Sequence, residues 1–262
     1  MKRGTKVWVI IAAVLFLIGA TIIVGDLIMV KFDFSKLATI RYETNTYEIK
    51  ETFTNISIQT ETGDIVFLPS DSETAKVVCT EDEKLKHMIA VQDGKLMIEV
   101  QDARKWYEHI GITFQGQEKV TIYLPDKEYS SLVMEGSTGD VKIKKAFFET
   151  LDISATTGHV QLEKITCESM NAKVSTGDIT MKNVIANKSM ALRTSTGDVK
   201  FEQCDAPEIS IKVSTGDVKG SVLTEKIFIA KTSTGKIKVP KSVTGGRCEI
   251  TTSTGDIEIN YY

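Results

Sequence analysis

Six aspartates occupy the same place in a repeated motif, one residue after a glycine, in stretches such as STGD and TETGD. They are Asp64, Asp140, Asp178, Asp198, Asp217 and Asp256. Carboxylates stacked in register could bind Ca²⁺ between turns. Alternatively, each carboxylate closes its own turn. His159 and Lys236 interrupt the series, and lysines two residues further on, such as Lys200, could neutralise the charge. We therefore favour turn closure and predict no metal site.

Catalytic chemistry has little support in the sequence. β-Helical enzymes that cleave acidic polysaccharides gather acids and bases at one groove, whereas the acids here follow the repeat. The histidines His87, His109 and His159 are scattered, and each is predicted to be a solvated surface residue. No G-x-S-x-G motif is present, and TGK at 234–236 lacks the rest of a phosphate-binding loop. We predict a protein that is not an enzyme and uses no cofactor, with an envelope-polysaccharide-processing enzyme as the alternative.

The glycines of these motifs recur at an almost constant spacing of 19 or 20 residues. They are Gly139, Gly158, Gly177, Gly197, Gly216, Gly235 and Gly255. Gly63 precedes Gly139 by 76 residues, which is four times 19. Such a period is the signature of a repeat architecture. Glycine suits its corners because it takes a positive φ without a Cβ clash. The glycines and aspartates are therefore predicted to be structural turn residues.

Apolar residues alternate with polar ones on both sides of each glycine. Around Gly158, Leu151 and Ile153 precede it and Val160 and Leu162 follow it. This period of two is the pattern of half-buried strands. A third apolar position, seven residues after the glycine, predicts a short third strand. Its members are Ala146, Ile165, Val184, Cys204 and Leu223.

The repeat predicts an all-β fold, a β-solenoid or β-helix of about ten coils. One repeat cannot bury its apolar side alone, but repeats stacked at about 4.8 Å cover one another and turn each column into a ladder. The stretch IAVQDGKLMIEV, around Gly94, fits the same phase and is predicted to be another coil. A meander or barrel of antiparallel hairpins is the alternative. Hairpin strands vary in length, whereas this spacing is constant within one residue.

The N-terminus predicts a membrane anchor. Lys2, Arg3 and Lys6 precede an uncharged stretch from Val7 to Gly25, long enough to cross a hydrocarbon core as a helix. A cleaved signal peptide is the alternative, but its apolar region is usually shorter and ends at a small-x-small site. The positive-inside rule keeps residues 1–6 in the cytoplasm. We predict a single-pass plasma-membrane protein with a helix at 7–25, a linker at 26–45 and an extracytoplasmic repeat domain at 46–262.

Charge and cysteine content narrow the function further. The net charge is −3, and the first 25 residues hold three bases and no acid, which leaves −6 on the remainder. Because we find no basic stripe there, we expect no nucleic-acid partner. None of Cys79, Cys167, Cys204 and Cys248 forms a C-x-x-C pair, so they are predicted to be buried thiols.

Three stretches together resemble a known family: FTNISIQTETGDIVFLPS, VTIYLPDKEYSSLVMEGSTGDVKI and the serial STGDV units. The segment from Ile122 to Leu132 is the most specific of them. They are similar to an uncharacterised bacterial envelope family described as putative adhesins with β-strand repeats. Some members resemble accessory proteins of envelope-stress operons in Gram-positive bacteria. The resemblance implies a β-helix-like fold at the cell surface and provides no catalytic residue or ligand.

Two places could bind a partner. Segment 101–118 breaks the period and contains Trp106, Tyr107, His109 and Phe114, although covering the core is the reading we favour for these aromatic residues. The chain ends at Tyr261 and Tyr262 without a visible cap, so the tail folds over itself or the open strand edge docks a partner. We expect a protein or envelope-glycan partner and a non-catalytic role in binding or scaffolding.

Overall fold

The computed structural model describes residues 3–29, 31, 42–102 and 118–262. Helix α1 (Arg3–Met29) contains the apolar stretch Lys6–Gly25, whose length and composition would allow it to cross a membrane. A signal sequence has the same properties, so this stretch is a candidate for either. The predicted partner residues Trp106, Tyr107, His109 and Phe114 lie outside the described residues.

The remainder of the described chain is a separate unit made of 18 strands that join in one sheet. The first strand begins at Tyr42, inside the stretch that the sequence assigned to the linker. The strands are β1 (Tyr42–Ile49), β2 (Asn55–Thr62), β3 (Asp64–Pro69), β4 (Ala75–Asp82), β5 (Leu85–Gln92), β6 (Lys95–Asp102), β7 (Lys119–Leu124), β8 (Glu128–Thr138), β9 (Val141–Thr157), β10 (Val160–Thr176), β11 (Ile179–Thr196), β12 (Val199–Cys204), β13 (Glu208–Thr215), β14 (Val218–Val222), β15 (Lys226–Thr234), β16 (Ile237–Lys238), β17 (Gly246–Thr254) and β18 (Ile257–Tyr261).

Successive repeats pair in parallel and in register. Val160 pairs with Val141 on one side and with Ile179 on the other, and all three side chains are buried. This confirms the predicted stacking, and it shows that STGD is a corner between two strands of one level rather than an antiparallel hairpin loop. The buried side chains of neighbouring levels form one continuous core.

Each central level has a second corner that the sequence analysis missed. Six residues after the glycine, Lys145, Lys164, Asn183 and Gln203 adopt φ values of 48 to 57°. The chain turns there inside the long strands, and the predicted third strand follows. Ala146, Ile165, Val184 and Cys204 are buried in it, as expected, but Leu223 is not: it is 45% exposed, and Val222 pairs with Cys204 in its place.

The levels do not follow chain order at either end of the stack. The last level, β17–β18, lies between β13–β14 and β15–β16. The first level, β2–β3, lies between β6–β7 and β8–β9. Along the face formed by β6, β2, β8, β9, β10, β11, β13, β17 and β15, the described residues make nine levels, fewer than the predicted ten or so.

The prediction for Gly94 is wrong. Strands β5 and β6 form an antiparallel hairpin, and Asp93 and Gly94, with φ values of 50 and 71°, form its tight turn. Two residues with positive φ are what a type I′ hairpin turn requires. Ile89 therefore faces Ile98 across the hairpin. Strand β4 is also antiparallel to each strand with which it pairs, namely β1, β7 and, at one residue pair, β5. This end of the sheet therefore does not follow the repeat.

Candidate binding surface

The corner aspartates join one level to the next. In each case Oδ1 accepts the backbone N–H of the equivalent residue one level further on. The donor–acceptor pairs include Asp140 to Asp64 at 2.9 Å, Asp198 to Asp178 at 2.8 Å, Asp217 to Asp198 at 3.0 Å and Asp256 to Asp217 at 2.8 Å. The predicted turn residues therefore form a ladder of hydrogen bonds between turns.

Lysines occupy the second carboxylate oxygen at two of these corners. Lys200 Nζ lies 2.9 Å from Asp198 Oδ2, and Lys219 Nζ lies 2.8 Å from Asp217 Oδ2. The N–H of Asp217 and then Lys200 hold the pKa of Asp198 below its ordinary value. Lys219 and then the N–H of Asp256 do the same for the pKa of Asp217. At these two corners, a backbone N–H and a lysine thus already contact the two carboxylate oxygens that a Ca²⁺ ion would need as ligands.

The two exceptions in the aspartate series have structural explanations. His159 replaces an aspartate, and its Nδ1 accepts the N–H of Asp178 at 3.1 Å, as a carboxylate would. Lys236 lies in the outermost level, β15–β16. Its own N–H is accepted by Asp256 Oδ1 at 2.7 Å, and no described level follows that would need an acceptor from its side chain.

Among the described residues, one cluster has side chains that could hold a metal ion: Cys79, Glu81 and His87, whose ligand atoms lie within 4.8 Å of one another. Glu81 Oε2 accepts the backbone N–H of His87 at 2.6 Å and contacts His87 Nδ1 at 2.7 Å. Asn45 Nδ2 donates to Glu81 Oε1 at 2.8 Å. The prediction that His87 is solvated is wrong, because its side chain is 3% exposed.

The thiols are buried and unpaired, as predicted. All four cysteines are free and buried. Burial raises the pKa of Cys79, Cys167 and Cys248 to about 12 and that of Cys204 to about 11. Because the thiolate is the reactive form, these cysteines are poor nucleophiles at neutral pH.

Most of the unpaired strand edge at this end of the stack belongs to β15–β16. Strand β16 pairs only with Ile257 and Glu258 of β18, so Tyr261 pairs with β14 alone among the described strands. Tyr261 is 41% exposed and its ring lies 6.4 Å from that of Phe228, while Tyr262 is 73% exposed. On β15, Ile227 and Ile229 are exposed and Phe228 is half-buried.

Carboxylates gather in one cleft near the other end of the sheet. The cleft has a volume of 540 Å³, and its lining includes Gln59, Glu61, Glu99, Glu135 and Ser154. Glu99, Gln59 and Glu135 occupy one column on three neighbouring levels. This local group of acids does not follow the corner motif, and the sequence analysis did not find it.

A basic column lies on the same face, contrary to the expectation that the strand region has no basic stripe. Lys173 pairs in register with Arg193, Arg193 with Lys212, and Lys212 and Lys231 flank Thr251. We call Lys173, Arg193, Lys212 and Lys231 the basic ladder. Each lies four residues before a corner glycine, a position that the period of the sequence could have revealed.

Three solved structures are similar to this chain. A crystal structure of a putative adhesin from Bacteroides fragilis NCTC 9343 has 17% identity and a TM-score of 0.57, over 83% of this chain and 97% of that one. Crystal structures from Parabacteroides distasonis ATCC 8503, of a putative lipid binding protein and a putative adhesin, have TM-scores of 0.49 and 0.43. Their identities are 15% and 16%; they cover 83% and 82% of this chain, and 97% of their own length.

At such identities, the first of these structures shows a shared fold and leaves function open. The sequence matches no curated protein. The family model matches residues 53–262, which includes the corner glycines and aspartates, the cleft and the basic ladder. The chain therefore belongs to the Toastrack DUF4097 family.

Proposed function

We propose that this protein is a membrane-anchored, non-catalytic element of the cell envelope, with an adhesin-like role in binding or scaffolding. In this proposal α1 is the uncleaved anchor, and a β-solenoid of parallel levels stands on the outer side of the membrane. An association with the envelope-stress response, which the family resemblance implies, belongs to the same proposal.

The in-register stack is the observation that carries this proposal. Because equivalent residues pair level by level, outward side chains form straight columns about 4.8 Å apart along the stack. Such columns present chemically ordered, rigid surfaces, which suit binding of an extended partner better than catalysis on a small molecule. The putative adhesin of similar fold supports the same role.

Selective labelling of cysteine tests the location. The native thiols are buried, so a membrane-impermeant maleimide should react only with an introduced, exposed cysteine. We expect the full chain with Ser233→Cys to be labelled in intact cells and the chain with Lys2→Cys to be labelled only after permeabilisation. The reverse pattern, or loss of α1 from the mature protein, would overturn the anchored topology.

The cleft with Glu61, Glu99 and Glu135 favours a second candidate, an enzyme that processes envelope polysaccharide. Paired carboxylates in one groove are what glycoside hydrolysis requires. If this candidate is right, the full chain releases reducing ends from envelope glycan, and Glu99→Gln or Glu135→Gln abolishes the release. Glycan that stays intact with the wild-type chain excludes it.

A further inference from the structure

The outer face of the sheet carries one column whose charge changes sign along the stack. In spatial order the column reads Glu99, Gln59, Glu135, Ser154, Lys173, Arg193, Lys212, Thr251 and Lys231. These nine positions are in register. At about 4.8 Å per level the column is roughly 38 Å long, and its basic part spans roughly 19 Å.

The charges of the basic ladder are not compensated by the protein. All four side chains are exposed, and none makes an ion pair within the part of the chain that the structure describes. Lys173, Arg193 and Lys212 occupy three consecutive levels. Like charges directly opposite one another on neighbouring strands are destabilising. The fold therefore accepts repulsion in this column.

The lysines three residues after the corner glycine provide the contrast. Lys200 and Lys219 lie 2.9 and 2.8 Å from the carboxylates of Asp198 and Asp217, and Lys238 Nζ lies 2.7 Å from Glu258 Oε1. Each of these lysines thus has a carboxylate partner. The cations of the basic ladder have none among the described residues, so the absence of ion pairs is specific to the face that carries the ladder.

Neighbouring columns leave the ladder open to an anion. Two residues after each of its cations lies a serine, and these are Ser175, Ser195, Ser214 and Ser233. The column on the other side contains two carboxylates, and both have partners: Glu249 binds Arg247 at 2.7 Å, and Asp152 accepts from Asn171 at 2.9 Å. Cations flanked by hydroxyl donors make a surface that favours anionic oxygen atoms.

We propose that the basic ladder binds a linear polyanion of the cell envelope, laid along the stack axis. The ligand is a polymer with phosphodiester or carboxylate groups that repeat about every one or two levels, roughly 5–10 Å. Lysine and arginine neutralise these groups one by one, and the serines donate hydrogen bonds to their oxygens. This inference rests on the proposed surface location and names the class of partner.

The acidic end of the column limits where and what the ladder binds. Glu99 and Glu135 repel a polyanion, which confines it to the levels from Lys173 to Lys231. A flat anionic bilayer would have to approach both ends of this face together, so it fits the charge pattern less well than a narrow chain does. The acids thus favour a polymer over a lipid surface.

The experiment compares two variants that lose the same charge from different faces of the full chain in non-ionic detergent. The ladder variant is Lys173→Gln/Arg193→Gln/Lys212→Gln, and the matched control is Lys200→Gln/Lys219→Gln/Lys238→Gln. Polygalacturonate and inorganic polyphosphate are the probes for carboxylate and phosphate polymers, with affinity measured by titration at several salt concentrations. Circular dichroism and thermal unfolding check that both variants are folded.

We expect the wild-type chain to bind at least one polymer, with an affinity that falls steeply as salt rises. The ladder variant should bind about ten-fold or more weakly, and the control within about two-fold of wild type. Equal weakening in both variants, or no binding by wild type at low salt, overturns the proposal. So does ladder-dependent binding of phosphatidylglycerol vesicles or single-stranded DNA without binding of either polymer. Cysteine labelling decides the topology independently, so failure of one proposal is separable from failure of the other.

Discussion

At the corner glycines, neighbouring levels approach so closely that no side chain fits. A Cβ atom on Gly177 would lie 1.9 Å from the carbonyl oxygen of Gly158, and the φ of Gly177 is +143°. Residues other than glycine avoid this φ. The added Cβ would meet backbone atoms, which cannot move aside as a flexible side chain could. Gly220 is free of backbone strain, but its Cβ would lie 2.5 Å from the Phe201 ring of the adjacent level. The ring of Phe201 thus occupies the space that the missing side chain of Gly220 leaves in the same column.

We expect Gly177→Ala to reduce the free energy of unfolding by about 4 kcal/mol or more. The added Cβ would clash with the backbone of Gly158, and alanine disfavours the φ of this position. Gly136→Ala is the matched control. Its Cβ would meet only the ends of the Met134 and Thr60 side chains, at 3.4 and 3.7 Å, and its φ is not positive. Urea unfolding of the full chain measures both variants. Equal stabilities for the two would contradict the corner argument.

At Asp198, one carboxylate makes two separable interactions. Asp198→Ala leaves the part-buried N–H of Asp217 without its acceptor and should cost about 1–3 kcal/mol. Asp198→Asn keeps an acceptor and loses only the charge that faces Lys200, an exposed contact that contributes about 0–1 kcal/mol. Unfolding at neutral pH should therefore rank wild type, Asn and Ala in that order.

The lowered pKa of Asp198 also fixes the pH dependence of this contribution. Since the folded state favours the charged form, the stabilisation is present above the ordinary aspartate pKa of about 4 and is lost as the pH falls through the lower folded value. The difference between wild type and Asp198→Asn should hence shrink as the pH falls below the ordinary aspartate pKa, and disappear once Asp198 is protonated in the folded state as well. A gap that is the same at pH 7 and pH 3 would show that charge plays no part.

At the scale of strands, position in the stack matters more than position in the chain. Strand β17 comes later in the sequence than β15, yet β17 pairs on both sides, with β13 and β15, whereas β15 pairs with β17 alone among the described strands. An edge strand has one row of unpaired backbone groups and opens at lower cost than a flanked one.

Hydrogen exchange should therefore reverse the usual fraying of chain ends. We expect amides in Cys248–Thr254 to exchange more slowly than amides in Phe228–Thr234, although the former lie closer to the C-terminus. Strand β10, flanked by β9 and β11, provides the internal standard for full protection. If β17 exchanges as fast as β15, the order of levels is wrong.

At the scale of the whole molecule, a strict period made most of the fold predictable. Val160 and Ile179 stack because each repeat puts an apolar residue at the same phase, and that phase can be read from sequence. The order of levels cannot be read in this way. The stretches AKTSTGKIK and ITTSTGDIE have the same turn and the same apolar phase, so either could pair with the same neighbouring level. The local sequence pattern therefore does not determine which of them is outermost. Lys236 was the one available signal, because an outermost corner needs no acceptor for a further level.

The candidate surface was less predictable for a related reason. The basic ladder lies at a fixed phase, four residues before the glycine, and could have been found by aligning the repeats at that position. The acidic cleft combines Glu99 from a hairpin with Glu135 from a repeat, and the hairpin does not share the period. His87 lies on that hairpin too, and alternation alone did not show which of its residues point inward. The sequence shows which residues are acidic or basic, but not which distant strands pair and so bring those residues together.

The insertion of β17–β18 between two earlier levels constrains how the protein can be made. When residues up to 245 have emerged, the strands β15 and β16 are complete, but the strands that separate them from β13 and β14 do not yet exist. Zipping from the N-terminus must therefore pause at β14, leaving β15 and β16 unpaired or wrongly docked. Residues 246–261 then complete both levels at once. Docking of β15–β16 therefore waits until β17–β18 have been made, and a chain cut short after residue 245 loses two levels rather than one.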